Sequence, residues 1–533
     1  MDVKDLKGKA EEELIMEGGA ETTEDYSSAD QAAANDGSGN MEEDEKPAAP
    51  IPMPAVGHTL DFPRKDTAYK KKESLPFDEC YSNVWKNRPR NDGAERVAKW
   101  LAFVLAGIAI GITAFGMDQL EDALVSHNRT LLQYIIDKYT ASSPSNAGLT
   151  FWLPIISFSL VCALLGTLAG LLTTYYGPGA SGSGVAELIG YMNGINYPDF
   201  IGVNTQITKI LGVTMAVASR LCIGKEGPLA HIGAIWGAAA CYCPGLGFEF
   251  LRNDEFKRQI IAAGASAGVS AAFGAPIGGT LFAYEMSKPT VFWTFEMIWK
   301  TFTCCSVAVL VLAILQTLAS GNVTDGFRGS TIKFGNQLAD DKYENSYQVI
   351  PAALVIGVVG GLLGALFINV NTRMNALRKR LLTTNWIKPV ETAIWSFATG
   401  FIFILAPYLI WSGDSSICAK NSELGSVSSD ITYRGWCAED EFDPNASIFW
   451  AAEGDIIKNI INDAVPVKAI NQFYFLLIWY ALTITTYGTN VPAGLFLPGM
   501  IIGCAMGRTL FSGSDAAGLI FVSDQLSAEE QAT

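Results

Sequence analysis

Histidine is nearly missing from this chain: His58, His127 and His231 are the only three in 533 residues. His58 lies in the N-terminal tail and His127 beside a sequon, and no cysteine or further carboxylate groups with His231 into a metal or catalytic set. An enzyme is therefore not expected, nor a resident cofactor. Aromatic residues are almost absent from the first ~60 residues, which are acidic and rich in Gly, Ser, Ala and Pro. Such a stretch has too little apolar surface to offset its ordering entropy. Residues 1–95 are expected to form a disordered cytosolic tail that ends in a basic juxtamembrane segment. The tail holds much of the formal net charge of −16, which argues against nucleic acid as a partner. Polar faces at helical spacing are missing from the apolar runs after Val97, which excludes a large soluble helical core.

Beyond the tail the chain turns apolar. Runs such as "WLAFVLAGIAIGITAFGM", "FWLPIISFSLVCALLGTLAGLL" and "IPAALVIGVVGGLLGALFINV" reach the roughly 20 residues that cross a bilayer. The first lies too far into the chain to be a cleaved signal peptide. The expectation is an all-α polytopic membrane domain over 96–511, followed by a polar tail over 512–533. Lys70, Lys71, Lys72, Lys86, Arg88, Arg90 and Arg96 precede the first run, and Arg373, Arg378, Lys379 and Arg380 separate two later ones. Both clusters are expected on the cytoplasmic side. Three sequons, at Asn128, Asn322 and Asn445, fall in polar segments that this topology places opposite, as glycosylation candidates. Cys418 and Cys437 share a segment with Asn445 and form a candidate disulfide.

Between Gly177 and Ser287 the apolar pattern is interrupted by "GPGASGSG", "GKEGP" and "AAGASAGVSAAFGAPIGG". Broken helices at membrane depth persist only where they are buried in protein or line a polar cavity. One interruption recurs. "GKEGPLAHIGAIWG" (Gly224–Gly237) aligns with "GLFLPGMIIGCAMG" (Gly494–Gly507) at an offset of 270 residues (494 − 224). Gly224 meets Gly494, Glu226 meets Phe496, Pro228 meets Pro498, Gly233 meets Gly503 and Gly237 meets Gly507. Each proline suits the first turn of a helix, and each leading glycine lets the backbone turn. Two helix starts, one per half, are the mark of an inverted repeat with an anion between its arms. Close helix packing explains the glycines equally well, but not the two prolines in register. In "GPGASGSGVAEL", Ser183 reads as an N-cap whose hydroxyl is free to donate; no strand precedes it, so a dinucleotide loop is discounted.

In that order, "GSGVA", "GKEGP" and "GLFLP" resemble the three signatures of the CLC family of chloride channels and chloride/proton exchangers. The resemblance covers about Val97 to Phe511, and "KESLPFD" and "WCAEDEF" look most like its lysosomal and late-endosomal branch. It implies an inverted-repeat fold of broken helices that carries chloride, alone or in exchange for protons, across an endosomal, lysosomal or vacuolar membrane. A homodimer embedded in lipid is implied for a complete chain. By resemblance, Ser183 donates its hydroxyl to a central chloride and the amides of Leu495 and Phe496 complete that site. Glu226 is the gating carboxylate, with the amides of Lys225 and Gly227 around it. The plain structural alternative pairs Glu226 with Lys225.

Two departures from the family matter. In "LFAYEMSKP", Glu285 matches one family glutamate, while Met286 replaces the glutamate that exchangers use to deliver protons. Channel and antiporter thus both stay open. Only 37 residues follow Phe496, so the second repeat looks incomplete, without the family's last membrane helices and CBS domains. The alternative expectation is a truncated, non-conducting subunit.

Overall fold

The structure is a computed structural model that describes residues 73–74, 92–142, 147–242, 254–287, 295–321, 349–409, 418–420, 432–438, 440–461 and 467–516. Most of the expected tail over 1–95, all of the tail past 516, and Asn322 lie outside the described residues.

Long helices α1 (Asp92–Ser142) and α2 (Ala147–Leu171) open the fold. After a π turn over Leu172–Tyr176 come short α3 (Val185–Met192), then α4 (Val203–Ala218), α5 (Glu226–Cys241), α6 (Asp254–Phe273) and α7 (Pro276–Ser287). The second half holds α8 (Phe295–Ser320), α9 (Val349–Leu381), α10 (Ile387–Leu409), short α11 (Pro444–Phe449) and α12 (Glu453–Ile461), α13 (Ala469–Thr486) and α14 (Phe496–Ala516). Among the described residues, five segments are long and apolar enough to span a bilayer: Glu95–Tyr139, Phe151–Tyr176, Phe295–Ser320, Ala353–Leu381 and Ile387–Tyr408. Two small antiparallel ladders tie loops together. Strand β1 (Glu73–Ser74) pairs with β2 (Ile195–Asn196), and β3 (Ala419–Lys420) pairs with β4 (Glu441–Phe442) beside a Cys418–Cys437 disulfide.

The first helix departs from the sequence expectation. At 1.5 Å per residue its 51 residues run about 76 Å, far beyond a bilayer core of about 30 Å. The stretch after "GMDQLED" therefore continues as helix rather than loop. Its Leu132 and Ile136, one turn apart, are buried in a hydrophobic cluster. Asn128 lies on the same stretch, only 3% exposed, with Nδ2 toward Cys162 Sγ at 3.8 Å. The polar segment that the sequence places between spans is thus helical at Asn128, with the side chain buried. Asn445 opens α11 half-buried, and its Oδ1 accepts from Asn471 Nδ2 at 3.1 Å.

Among the described residues the core forms two clusters. The first gathers α1, α4, α5, α6 and α8 around residues such as Phe103, Ile110, Val213, Ile232 and Ile260. The second gathers α2 and α10 to α14 around Phe403, Trp450, Phe475 and Trp479, with Phe403 and Trp479 stacked 5.3 Å apart. Leu221, Ile223, Val491 and Ala493 belong to the first cluster, whereas Cys222 and Leu497 belong to the second. Both broken-helix connections thus run along the seam between the clusters.

Small residues set the closest helix contact. On α5, a Cβ at Gly233 would strike the Gly264 carbonyl of α6, and a Cβ at Gly268 would strike the Leu229 carbonyl. Here the packing reading of the glycines holds. The aligned glycines of the second copy differ: a Cβ at Gly503 or Gly507 meets nothing within 4 Å among the described residues. Gly233→Val is expected to cost about 1–3 kcal/mol through overpacking, and Gly503→Val to cost nothing, because valine is the better helix former of the two. Thermal unfolding in detergent checks the contrast, and equal losses would refute it.

Candidate functional site

The aligned glycines meet. Gly224 N donates to Gly494 O at 2.8 Å, and Gly494 N donates to Gly224 O at 2.7 Å, an isolated antiparallel bridge. The third glycine-rich stretch joins the same strip. Gly182 N donates to Val491 O at 3.0 Å, and Ala493 N donates to Gly182 O at 3.2 Å. Glycine is required by proximity: a Cβ on Gly494 would lie 2.8 Å from Gly224 O and 3.1 Å from Gly227 N. A Cβ on Gly227 would lie 2.9 Å from that of Ser183. The starts of α3, α5 and α14 therefore converge on one point. The first amides of any helix lack intrahelical partners and carry the positive end of its dipole, so a convergence of starts favours an anion.

The side chains at this point fall as follows. Ser183 is half-buried, and its Oγ accepts from Val185 N at 3.3 Å. The residue at the N-cap position of α3 is Gly184, at φ 79°, rather than Ser183. Accepting leaves the serine's own hydrogen available for donation. Glu226 is 4% exposed at the first position of α5. Its carboxylate lies against its own amide and that of Leu497, while Oε2 has no hydrogen-bond partner. The second copy thus meets the carboxylate through Leu497. Leu495 is half-buried and Phe496 exposed at the start of α14, and Pro228 and Pro498 both sit at the third helical position.

Lys225 turns away from Glu226. Its Nζ donates to Asp118 Oδ1 at 2.7 Å and to Glu121 Oε2 at 2.8 Å, both on α1. The alternative pairing of Glu226 with Lys225 is therefore not what the structure contains. On α7, Glu285 is exposed and Met286 is 7% exposed within the first cluster.

Four features escaped the sequence reading. Lys209 of α4 is fully buried and donates from Nζ to His231 Nδ1 at 2.9 Å. That leaves His231 Nε2 to donate to Phe200 O, also at 2.9 Å, with the two rings stacked at 4.0 Å. The His231 ring fills the space a side chain at Gly184 would need, and so supports the turn beside Ser183. Tyr487, just past α13, lies near Ser183. The backbone carrying it is held by Asn371 Nδ2 donating to Tyr487 O at 2.8 Å and Arg378 Nη1 donating to the same oxygen at 3.0 Å. Arg378 also donates to Thr485 O, so this member of the basic cluster caps the C-terminus of α13, and it pairs with Glu391 at 2.6 Å. Lone ionisable residues in apolar helices, as Lys209 is in "VNTQITKILGVTMAVA", were the signal that could have found them.

This geometry defines a class: polytopic membrane proteins in which broken helices from two repeats point their starts at one buried place. A family model described as "Voltage gated chloride channel" matches residues 165–523, and the chain belongs to that family. It is 28% identical over 453 residues to the human H(+)/Cl(-) exchange transporter 7, covering 82% of this chain and 54% of the relative. It is 31% identical over 427 residues to the chloride channel protein CLC-d of Arabidopsis thaliana, covering 77% and 52%. The chain spans about half the length of these curated relatives. Among solved structures, a slow cyanobacterial Cl-/H+ antiporter matches with TM-score 0.56 and 18% identity, covering 79% of this chain and 81% of that one. A eukaryotic CLC transporter matches with TM-score 0.53 and 18% identity, covering 78% and 60%. Both share the fold.

Lys225→Met is expected to leave Asp118 and Glu121 without their cation and to destabilise the protein by about 3–5 kcal/mol. Combining it with Asp118→Asn and Glu121→Gln is expected to recover most of the loss. Unfolding in denaturant measures both, and an additive triple variant would show that the pairs are not coupled.

Proposed function

We propose that this chain carries chloride across a membrane, with Glu226 as the gate. The observation that carries the reading is the buried Glu226 carboxylate held at the meeting point of two helix starts. Ionised, the carboxylate occupies an anion place built from helix-end amides and excludes chloride. Protonated, it is neutral and leaves, so proton and chloride compete for one position. Ser183, through its hydroxyl, and the amides of Leu495 and Phe496 hold the central chloride, and the amides of Lys225 and Gly227 belong to the gate position. Engagement of Lys225 by α1 supports this, because it leaves dipoles rather than a full cation facing the anion. An anion must bind well enough to enter and loosely enough to leave.

Two modes share this site. Exchange is supported by the relatives, an H(+)/Cl(-) exchange transporter among them. Channel conduction is supported by Met286, a buried apolar residue where family exchangers carry a proton-delivering glutamate. The resemblance of "KESLPFD" and "WCAEDEF" to the family's lysosomal and late-endosomal branch favours an endosomal, lysosomal or vacuolar membrane. Glycan mapping at Asn445 and accessibility labelling at Arg373 test the proposed sidedness.

Chloride flux with simultaneous pH recording from the purified chain in liposomes separates the modes. Glu226→Gln is expected to keep anion flux and lose its pH dependence and any proton coupling. Wild-type pH dependence in that variant removes Glu226 from the gate, and absence of anion flux from the unaltered chain overturns the transport reading. Ser183→Pro is expected to raise the nitrate-to-chloride permeability ratio, read from reversal potentials. An unchanged ratio takes Ser183 out of the anion site.

A further inference from the structure

A second buried carboxylate lies near the gate. Glu453, the first residue of α12, is 7% exposed, and its Oε2 has no hydrogen-bond partner. It borders a small cavity together with Glu121, Arg220, Phe403 and Trp479. The cavity has room for about one water.

The cations nearby are committed elsewhere. Arg220, at φ 64°, donates from Nη2 to Trp450 O at 2.6 Å and from Nη1 to Ala451 O at 2.5 Å. Lys225 is taken by Asp118 and Glu121. Glu453 makes no ion pair among the described residues, although Arg220 and Lys225 contribute to its field. Glu121 of α1 and Arg220 of the α4–α5 connection share the cavity with it, and Glu121 in turn holds Lys225, next to Glu226 at the α5 start; the fields of all four reach Glu453. From α10 and α13 the cavity receives only Phe403 and Trp479. A buried carboxylate without a dedicated partner is costly, and a glutamine or methionine would fill the same volume more cheaply. Its place beside a water-sized cavity and in the field of Glu226 gives it a use. Intramembrane carboxylates of this kind mark proton paths.

We propose that Glu453 is the residue through which Glu226 exchanges its proton with the solution on the side of the Cys418–Cys437 disulfide. The inference rests on the reading of Glu226 as a protonatable gate. In the outward step, the O–H bond of protonated Glu226 breaks. Its proton passes to water, and a water proton forms an O–H bond at Glu453 Oε2, leaving Glu226 anionic and Glu453 neutral. Glu453 then releases the proton to the solution, and the reverse sequence reloads the gate. Two carboxylates in one another's field disfavour ionising together, so one proton shared between them is the stable arrangement.

Infrared difference spectroscopy after a pH step, on the chain in lipid, tests the pairing without requiring transport. A protonated-carboxyl C=O band is expected in the unaltered protein, absent from Glu453→Gln and retained in Glu453→Asp. Its titration midpoint is expected to move in Glu226→Gln. A spectrum unchanged by Glu453→Gln, or a midpoint indifferent to Glu226→Gln, overturns the proposal. If Glu453→Gln does not fold, the Glu226→Gln comparison and the Glu453→Asp band still decide. In liposomes, acidifying that face is expected to alter chloride flux at least about tenfold more slowly in Glu453→Gln than in the unaltered chain. An equal response rate overturns the proposal. A coupled band in a chain without Glu226-dependent flux would defeat the gate reading and leave the carboxylate pairing standing.

Discussion

Two hydrogen bonds between Gly224 and Gly494 hold the centre of this fold. Each contributes only about 0.5–1.5 kcal/mol, so their weight lies in position rather than energy. They tie the connection before α5 to the connection before α14, at the seam where two hydrophobic clusters meet. The Gly182 strip adds the start of α3 to the same ladder. No side chain fits there, because any Cβ at Gly494 runs into the Gly224 carbonyl. Once the backbones are this close, three helix starts, whose first amides have no intrahelical partners, meet at one place, and that place is suited to negative charge.

The surrounding side chains keep that volume free of full positive charge. Lys225 stands next to Glu226 in the chain, yet α1 draws its ammonium away with two carboxylates. Lys209 is spent on His231, and Arg220 on the carbonyls at 450 and 451. A cation at the centre would bind an anion tightly and hold it. Partial charges from amides attract less strongly, which suits a site that must both fill and empty. On the proposed function, the same economy explains why a carboxylate is able to compete with chloride there: neither species meets an ion of opposite sign.

The sequence displayed this arrangement unevenly. The helix breaks were legible because Gly, Pro and Ser interrupt apolar runs, and the register between Gly224 and Gly494 followed from two aligned prolines. The pairing of those same two glycines with each other was not legible, since nothing local says which backbone a glycine approaches. The long spans were legible from hydropathy, but the far half of α1 was not. Its polar surface hides an i, i+4 pair, Leu132 and Ile136, that becomes decisive only once a second cluster exists to receive it. Asn128 lies on the same stretch and is buried with it. Lys225 and Glu226 are adjacent in sequence and invite pairing, whereas the partners chosen, Asp118 and Glu121, are about a hundred residues away. Tertiary placement overrides chain neighbourhood wherever a buried cation has several carboxylates to choose from.

The two repeats share a backbone plan and divide the chemistry. The first copy puts a carboxylate at the first helical position, and the second puts Phe496 there, 57% exposed. The first copy packs its glycines backbone-to-backbone against α6, and the second leaves the aligned ones open. Only the first copy therefore holds a group whose charge depends on pH, and it is the more rigidly seated of the two. The second copy meets that group with an amide, from Leu497, across the glycine bridge. An amide does not titrate in water near neutrality, so it offers the same attraction at every pH while the charge it attracts comes and goes. Under the proposed function, this division is what turns a symmetric anion place into one whose occupancy depends on protons. Two titratable arms would repel one another when ionised, and two amide arms would bind chloride without reference to pH.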